Sequence, residues 1–270
     1  MTGVHQAVAA SGVRPPGNIY DIIASLGLTT NLNFALDAGD TRCTDGTSQT
    51  WTDAGASGNN FFRGATSGVT ANDPTFNGSA GSIGSGTYWS FDGADYFVES
   101  AAHTFADGWH KDNGAFTLVF IVWFGNITSD QILFNTFDSV NGDGVTFFVD
   151  NAAGEFALQH SLTNASSEVV GTGVNASAGA WGFVGISFSE AGPTCNFRYN
   201  GSTATPTVLG STNTTDPSTL YSIACGDSGS TPLSNTSRLI AVAGWSTALG
   251  ADGLTSLYNA FKARRLTSIP

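Results

Sequence analysis

Lysine and glutamate are nearly missing from this chain: it has two Lys and four Glu in 270 residues. Long solvent-facing helices draw heavily on those residues, so a helical architecture is disfavoured. Positive charge as a whole is short, with 9 Lys and Arg against 21 Asp and Glu and a net charge of −12. Such a surface repels phosphate backbones and anionic headgroups, so neither nucleic acid nor a membrane surface is an expected partner. Cysteine is scarce and irregularly spaced (Cys43, Cys195 and Cys225). Three such residues make neither a disulfide framework nor a zinc pattern and read as small buried thiols. No apolar run approaches the length of a membrane helix; the longest, "FTLVFIVWF", reads as a strand buried on both faces. The opening "MTGVHQAVAASGVRPPG" lacks a basic run followed by an apolar core. A soluble chain that folds where it is made is therefore expected.

Glycine and aromatics are what the chain has in quantity: 34 Gly and 19 Phe, with only 11% charged residues. That mixture opposes disorder and suits many strands joined by tight turns. "GNIYDIIASLG" places Ile19, Ile22, Ile23 and Leu26 at helical spacing before Gly27, which predicts one short helix. "NLNFALDAGD" reads as a first strand, and residues 41–87 as an irregular excursion aromatic enough to pack on the domain. "GVTFFVDNAAGEFALQHS" and "AWGFVGISFSEAGPTCNFRYNGS" read as hairpins turning near Ala153-Gly154 and Gly192-Pro193. In "GADGLTSLYNAFKARR", Leu254, Leu257, Tyr258 and Phe261 predict an amphipathic helix docked on a sheet. The expected fold is an all-β sandwich of two antiparallel sheets, with a short N-terminal helix and a C-terminal amphipathic helix. Residues 1–30 are expected to form an anchoring arm and helix, and 31–270 the sandwich.

Four segments carry a family resemblance. "YWSFDGADYFVES" resembles the F-D-G-x-x-D-Y-V segment of laminin G-like domains in the concanavalin A-like lectin/glucanase superfamily, and "AFTLVFIVWF" is similar to the strand that follows it. "GAWGFVGISFSEAGPTCNFRYNGS" resembles the family's G-x-W-H-x-V-A…L-Y-V-D-G, with Trp181 as the tryptophan. "LIAVAGWSTALGADGLTSLYN" is similar to its ending. The stretch from Leu32 through "YWSFDGADYF" also resembles the opening of lectin-like virion proteins of tailed bacteriophages. The resemblance implies a jelly-roll sandwich. It further implies a non-enzymatic virion component (head decoration, tail or fibre), held to other virion proteins by its N-terminal arm. A homo-oligomer is expected by analogy with symmetric particles, and host glycan is an expected contact.

The residues also raise chemical alternatives. "GDSG" at 226–229 matches the surroundings of a trypsin-like nucleophile, and His103, Asp150 and Ser228 fall in that family's chain order. The residue after His103 is Thr, Gly229 is followed by Ser, and no processed start is available to pair with Asp227, so an incidental turn is the preferred reading. No pair of carboxylates has glucanase spacing, so no catalytic residue is assigned. Calcium is the one cofactor considered: Asp92, Asp95 and Asp143 lie in Asp-Gly loops without an EF-hand's spacing, and plain turns are the default. For carbohydrate, Trp51 and Trp109, with His110 beside the latter, sit in polar loops and are the candidate contacts.

Overall fold

The computed structural model describes residues 17–163, 166–226 and 229–265. Two antiparallel sheets stack face to face, as the alternating patterns predict. From edge to edge the first sheet contains β14 (Ser202–Ala204), β13 (Thr194–Tyr199), β12 (Trp181–Ser189), β7 (Ala115–Trp123), β16 (Arg238–Trp245), β5 (Tyr88–Ser90) and β4 (Thr75–Asn77). β1 (Leu32–Asp37) lies on the later part of β16, beyond the point where β5 stops. The second sheet contains β11 (Ser166–Asn175), β10 (Glu155–Thr163), β9 (Val145–Asp150), β8 (Gln131–Asn135), β15 (Ser222–Ile223), β6 (Phe97–Glu99), β3 (Phe61–Arg63) and β2 (Thr50–Trp51).

The main core fills the space between the sheets. β7 shows why its sequence is an unbroken apolar run. Phe116, Leu118, Phe120 and Val122 point into this core, while Val119 and Ile121 point out into a second cluster. That second cluster is roofed by α1 (Ile19–Ser25) and α2 (Gly250–Arg264). Leu254, Leu257, Tyr258 and Phe261 are the buried face of α2, as predicted. α1 is capped by Asn18, whose Oδ1 accepts from Asp21 N at 2.9 Å, and it buries Ile19, Ile22 and Ile23 completely. The described part of residues 1–30 packs through α1 against α2, β1 and β16. Residues 1–16, which carry the expected arm, lie outside the described residues.

Both hairpins occur as predicted, β9 with β10 and β12 with β13. "YWSFDGADYFVES" is divided at its Asp-Gly turn. Its two halves, β5 and β6, belong to opposite sheets, and the turn at Asp92–Asp95 carries the chain across. The three cysteines are buried thiols outside any disulfide, as expected.

One long element has no sequence signature. Residues 205–221 contain no helix or strand and strap the open end of the sandwich between β14 and β15. Polar side chains hold it at intervals. Leu209 N donates to Glu168 Oε1 and Ser211 N to Glu190 Oε2, both at 2.6 Å. Asn213 Nδ2 donates to Asp143 Oδ1 at 2.5 Å, and Lys111 Nζ meets Asp216 Oδ1 at 2.5 Å. Ser218 and Tyr221 donate to Asp138 and Asp107.

The clamp at Glu190 titrates near neutrality. His160 is fully buried, and its Nε2 lies 2.6 Å from Glu168 Oε1. Burial holds the imidazole below its usual range, so it is neutral at pH 7 and donates from Nε2. Its Nδ1 lone pair then faces Glu190 Oε1 at 3.7 Å, and neither atom has another partner. Burial raises the Glu190 carboxyl from 4.5 to about 7, with Glu168 adding to the rise. The folded state therefore binds more protons than the unfolded state between those values. The stability that Glu190 contributes is complete below pH 4.5 and is lost as pH rises through about 7. Between pH 6 and 8, the Ser211 amide is expected to lose hydrogen-exchange protection beyond the normal base-catalysed increase, and Glu190→Gln is expected to flatten that response. An identical pH response in the variant would show that another group controls the strap.

Candidate carbohydrate-binding site

The tryptophans singled out in the sequence are not at the surface. Trp51 is fully buried, with its ring 4.7 Å from Phe97 and 5.9 Å from Trp89. Trp109 is 1% exposed and stacks on Phe116 at 4.9 Å, with Phe134 at 5.5 Å. Neither indole can stack on a sugar, which corrects the expectation that these loops present them. The cause is the tightness of residues 104–114. Asp112 and Asn113 both adopt left-handed φ values, 56° and 60°. A Cβ on Gly114 would lie 1.5 Å from the Gly108 carbonyl oxygen. The loop folds back on itself, and its large ring goes into the core. His110 is also fully buried; its Nε2 lies 3.1 Å from Thr215 O and burial lowers its pKa to about 4. It is a strap anchor, not a sugar contact.

The protease constellation is not assembled. β8 runs from Gln131, paired with Val149, to Asn135, paired with Ser222. β6 runs in the same direction, with Val98 on Ser222. Asp150 follows Val149 at one end of the sheet, and His103 lies beyond Glu99 at the other. Ser228 lies outside the described residues. Of the calcium candidates, Asp92 and Asp95 share one turn and Asp143 is elsewhere. Asp95 Oδ2 accepts from Asp92 N at 2.9 Å and Asp92 Oδ1 from Ala94 N at 2.8 Å, which is the turn chemistry expected of them. Asp143 sits under the strap. Among the described residues no three His, Cys, Asp or Glu side chains converge as a metal site.

A different surface brings aromatic and polar groups together. On the outer face of the first sheet, beside the helical roof, register aligns one residue from each of five strands. Thr75 pairs with Ser90, Ser90 with Arg238, Arg238 with Trp123, and Trp123 with Trp181. Tyr88 stands two residues along from Ser90 on the same face, because β5 alternates with Trp89 turned inward and Tyr88 and Ser90 turned outward. The Arg238 guanidinium lies over the Tyr88 ring at 4.9 Å and the Trp123 ring at 5.1 Å. Trp181 contacts both rings edge-on, each at 5.9 Å. Tyr88, Trp123 and Arg238 are half-buried, so part of each reaches solvent.

Tyr88 and Arg238, at one edge of this shelf, line a cleft of about 320 Å³, with Trp123 behind Arg238. Asn77, Ser90, Asp92, Asn235 and Thr236 supply hydrogen-bonding groups around it. Asn77 is pre-set, with Nδ2 donating to Thr75 O and Ser90 Oγ, both at 2.9 Å. A second polar cleft, of about 520 Å³ and lined by Asn126, Asp130 and Asn151 among others, shares Asn235 with the first as a lining residue. Burial raises the Asp95 carboxyl at the cleft floor to about 6. The signal for the shelf was present in the sequence, since Tyr88, Trp123 and Arg238 are strand residues outside the inward-facing pattern. Only the cross-strand register shows that they meet.

No protein-family model and no curated protein matches this chain. Solved structures do. A botulinum neurotoxin serotype D ligand-binding domain in complex with N-acetylneuraminic acid is 10% identical, with a TM-score of 0.57 over 88% of this chain and 52% of that one. A type C neurotoxin structure, described as showing that cell entry depends on two ganglioside molecules, is 10% identical with a TM-score of 0.58, over 87% of this chain and 52% of that one. A Trypanosoma rangeli sialidase bound to the inhibitor DANA is 12% identical with a TM-score of 0.52, covering 84% of this chain and 32% of that one. This chain spans about half the length of those neurotoxin domains and a third of the sialidase. At such identities the likeness shows the fold: a lectin-like β-sandwich.

Proposed function

We propose that this protein is a non-catalytic carbohydrate-binding sandwich whose glycan site is the cleft beside Tyr88, Trp123 and Arg238. The carrying observation is the half-exposed aromatic shelf next to converging Asn, Ser and Asp groups, a combination suited to the mixed apolar and hydroxyl faces of a sugar. Asn235 lines both clefts, so a second sugar ring would find hydrogen-bonding groups next to the first. One similar neurotoxin domain was solved with N-acetylneuraminic acid and another is described through gangliosides, which supports the reading without locating a site here. On a glycan array, Tyr88→Ala and Trp123→Ala are each expected to weaken the strongest signals about tenfold, the ~1.4 kcal/mol of one well-placed contact. Undiminished binding by both variants, with melting curves like the parent, would move the site elsewhere.

The bacteriophage-like opening supports a second, compatible reading, in which such a domain decorates a virion as a homo-oligomer held by its arm. Gly17 N donates to Arg264 O at 3.2 Å, so an arm ending at residue 16 would leave the sandwich beside the end of α2. Deleting residues 1–16 is then expected to abolish incorporation into particles while leaving glycan binding intact. Full incorporation of the truncated chain would remove the anchoring role.

A further inference from the structure

We infer that the cleft takes an acidic sugar, one whose pyranose ring carries a carboxylate, and that Arg238 reads that carboxylate; the inference rests on the carbohydrate-binding reading above. Arg238 differs from every other described cation. Arg42 pairs with Asp40 and Asp21, Lys111 with Asp216, and Arg265 with Asp37. Arg63 donates to Pro74 O, Arg198 to Thr255, Arg264 to Ser25 and Lys262 to the Tyr258 hydroxyl. Among the described residues, Arg238 is the one Lys or Arg whose side chain makes neither hydrogen bond nor ion pair.

Its guanidinium is nevertheless positioned. Tyr88 and Trp123 hold it over their rings, which limits its rotamers without using any of its five N–H donors. A planar fork held in advance and left unclaimed is the group that matches a carboxylate through two parallel hydrogen bonds. The side chain lines the cleft, so those donors border the space a sugar ring would fill.

The surroundings add selectivity. Asp92 and Asp95 line the same cleft, but one oxygen of each already accepts a turn amide, from Ala94 and Asp92 respectively. Neither forms an ion pair with Arg238. The net charge of −12 opposes any anion at long range. That field is screened over about 8 Å in physiological salt, so it weakens polyanions far more than a single carboxylate seated on the guanidinium. A compact monocarboxylate sugar with neutral hydroxyls towards Asn77 and Asn235 fits better than a densely charged polymer.

The test is calorimetric titration of the full chain with 3′-sialyllactose, a galacturonic acid disaccharide, the methyl esters of both, and lactose. The esters keep every atom of the ring and remove the charge. At least one acid is expected to bind tenfold or more tightly than its own ester, and which one does so distinguishes a sialic acid from a uronic acid. Arg238→Gln is expected to bring acid and ester to equal affinity. Arg238→Lys, which keeps the charge but not the fork, is expected to retain only part of the difference. Acid and ester binding equally to the parent, or a preference that survives Arg238→Gln, overturns the role of Arg238 while leaving a neutral-sugar site intact. If none of the five ligands binds the parent chain, and a broad glycan array is also blank, the carbohydrate-binding reading fails and this inference with it.

Discussion

Asp37→Ala is expected to cost about 3–5 kcal/mol of folding stability, a large share of what a domain of this size possesses. Asp37 and Arg265 form an ion pair at 2.7 Å with both side chains fully buried. Asp37 Oδ1 also accepts from Gly39 N at 2.8 Å, and Oδ2 from Ile19 N at 2.9 Å, the first amide of α1. One carboxylate thus ties the end of β1, the start of α1 and the end of α2. Removing it strands a guanidinium whose Nε and Nη1 already lack partners. Moving such a cation from water without a counter-charge is the costly step, more than the loss of hydrogen bonds. Asp37→Asn keeps an acceptor but not the charge and should fall between. The double change Asp37→Leu with Arg265→Met should cost less than Asp37→Ala alone, because no unpaired charge remains. Urea denaturation followed by circular dichroism measures all three. A loss below about 1 kcal/mol for Asp37→Ala would mean that Arg265 swings out to solvent.

Trp109→Ala is expected to be comparably severe, about 3–5 kcal/mol, through loss of buried area and the cavity left behind. The ring sits among Phe105, Phe116 and Phe134, with centroid distances of 5.6, 4.9 and 5.5 Å. Its Nε1 donates to Ser246 Oγ at 3.4 Å, which links the 104–114 loop to the end of β16. Nothing nearby is free to collapse into the space, since Phe116 and Phe134 are themselves fully buried. Trp109→Phe should cost much less, because a stacked ring remains. Any loss of glycan binding by Trp109→Ala should therefore appear together with a lowered urea midpoint. A variant that lost binding at unchanged midpoint would return this tryptophan to the sugar site.

The contrast between Trp109 and Tyr88 shows what the sequence could and could not disclose. Periodicity carries information about which side of a strand or helix is buried. It therefore located α2 through Leu254, Leu257, Tyr258 and Phe261, and the doubly covered β7. Trp89 and Trp245, which stand inside strand patterns, are fully buried in keeping with it. Outside regular elements it was silent. Trp109 stands among polar neighbours in the chain, yet its loop turns inward through two left-handed residues. The strap, the 10-residue strand β11 and the short β14 carry no alternation strong enough to announce them. The shelf needed yet another kind of information. Ser90, Arg238, Trp123 and Trp181 come from four separated segments, and only hydrogen-bond register places them in one row.

The pairing of β1 with β16 has a consequence for how the chain is born. Asn33 and Ser246, bonded at 2.5 Å across that pair, are 213 residues apart. At ribosomal rates of about 5–20 residues per second, the early strand waits roughly 10–40 s for its partner. Throughout that interval Phe34 and Leu36 have no finished sheet to enter. Nascent chains stalled before residue 238 should therefore be held by chaperones or clipped by proteases, and protection should arrive abruptly once the last strand emerges.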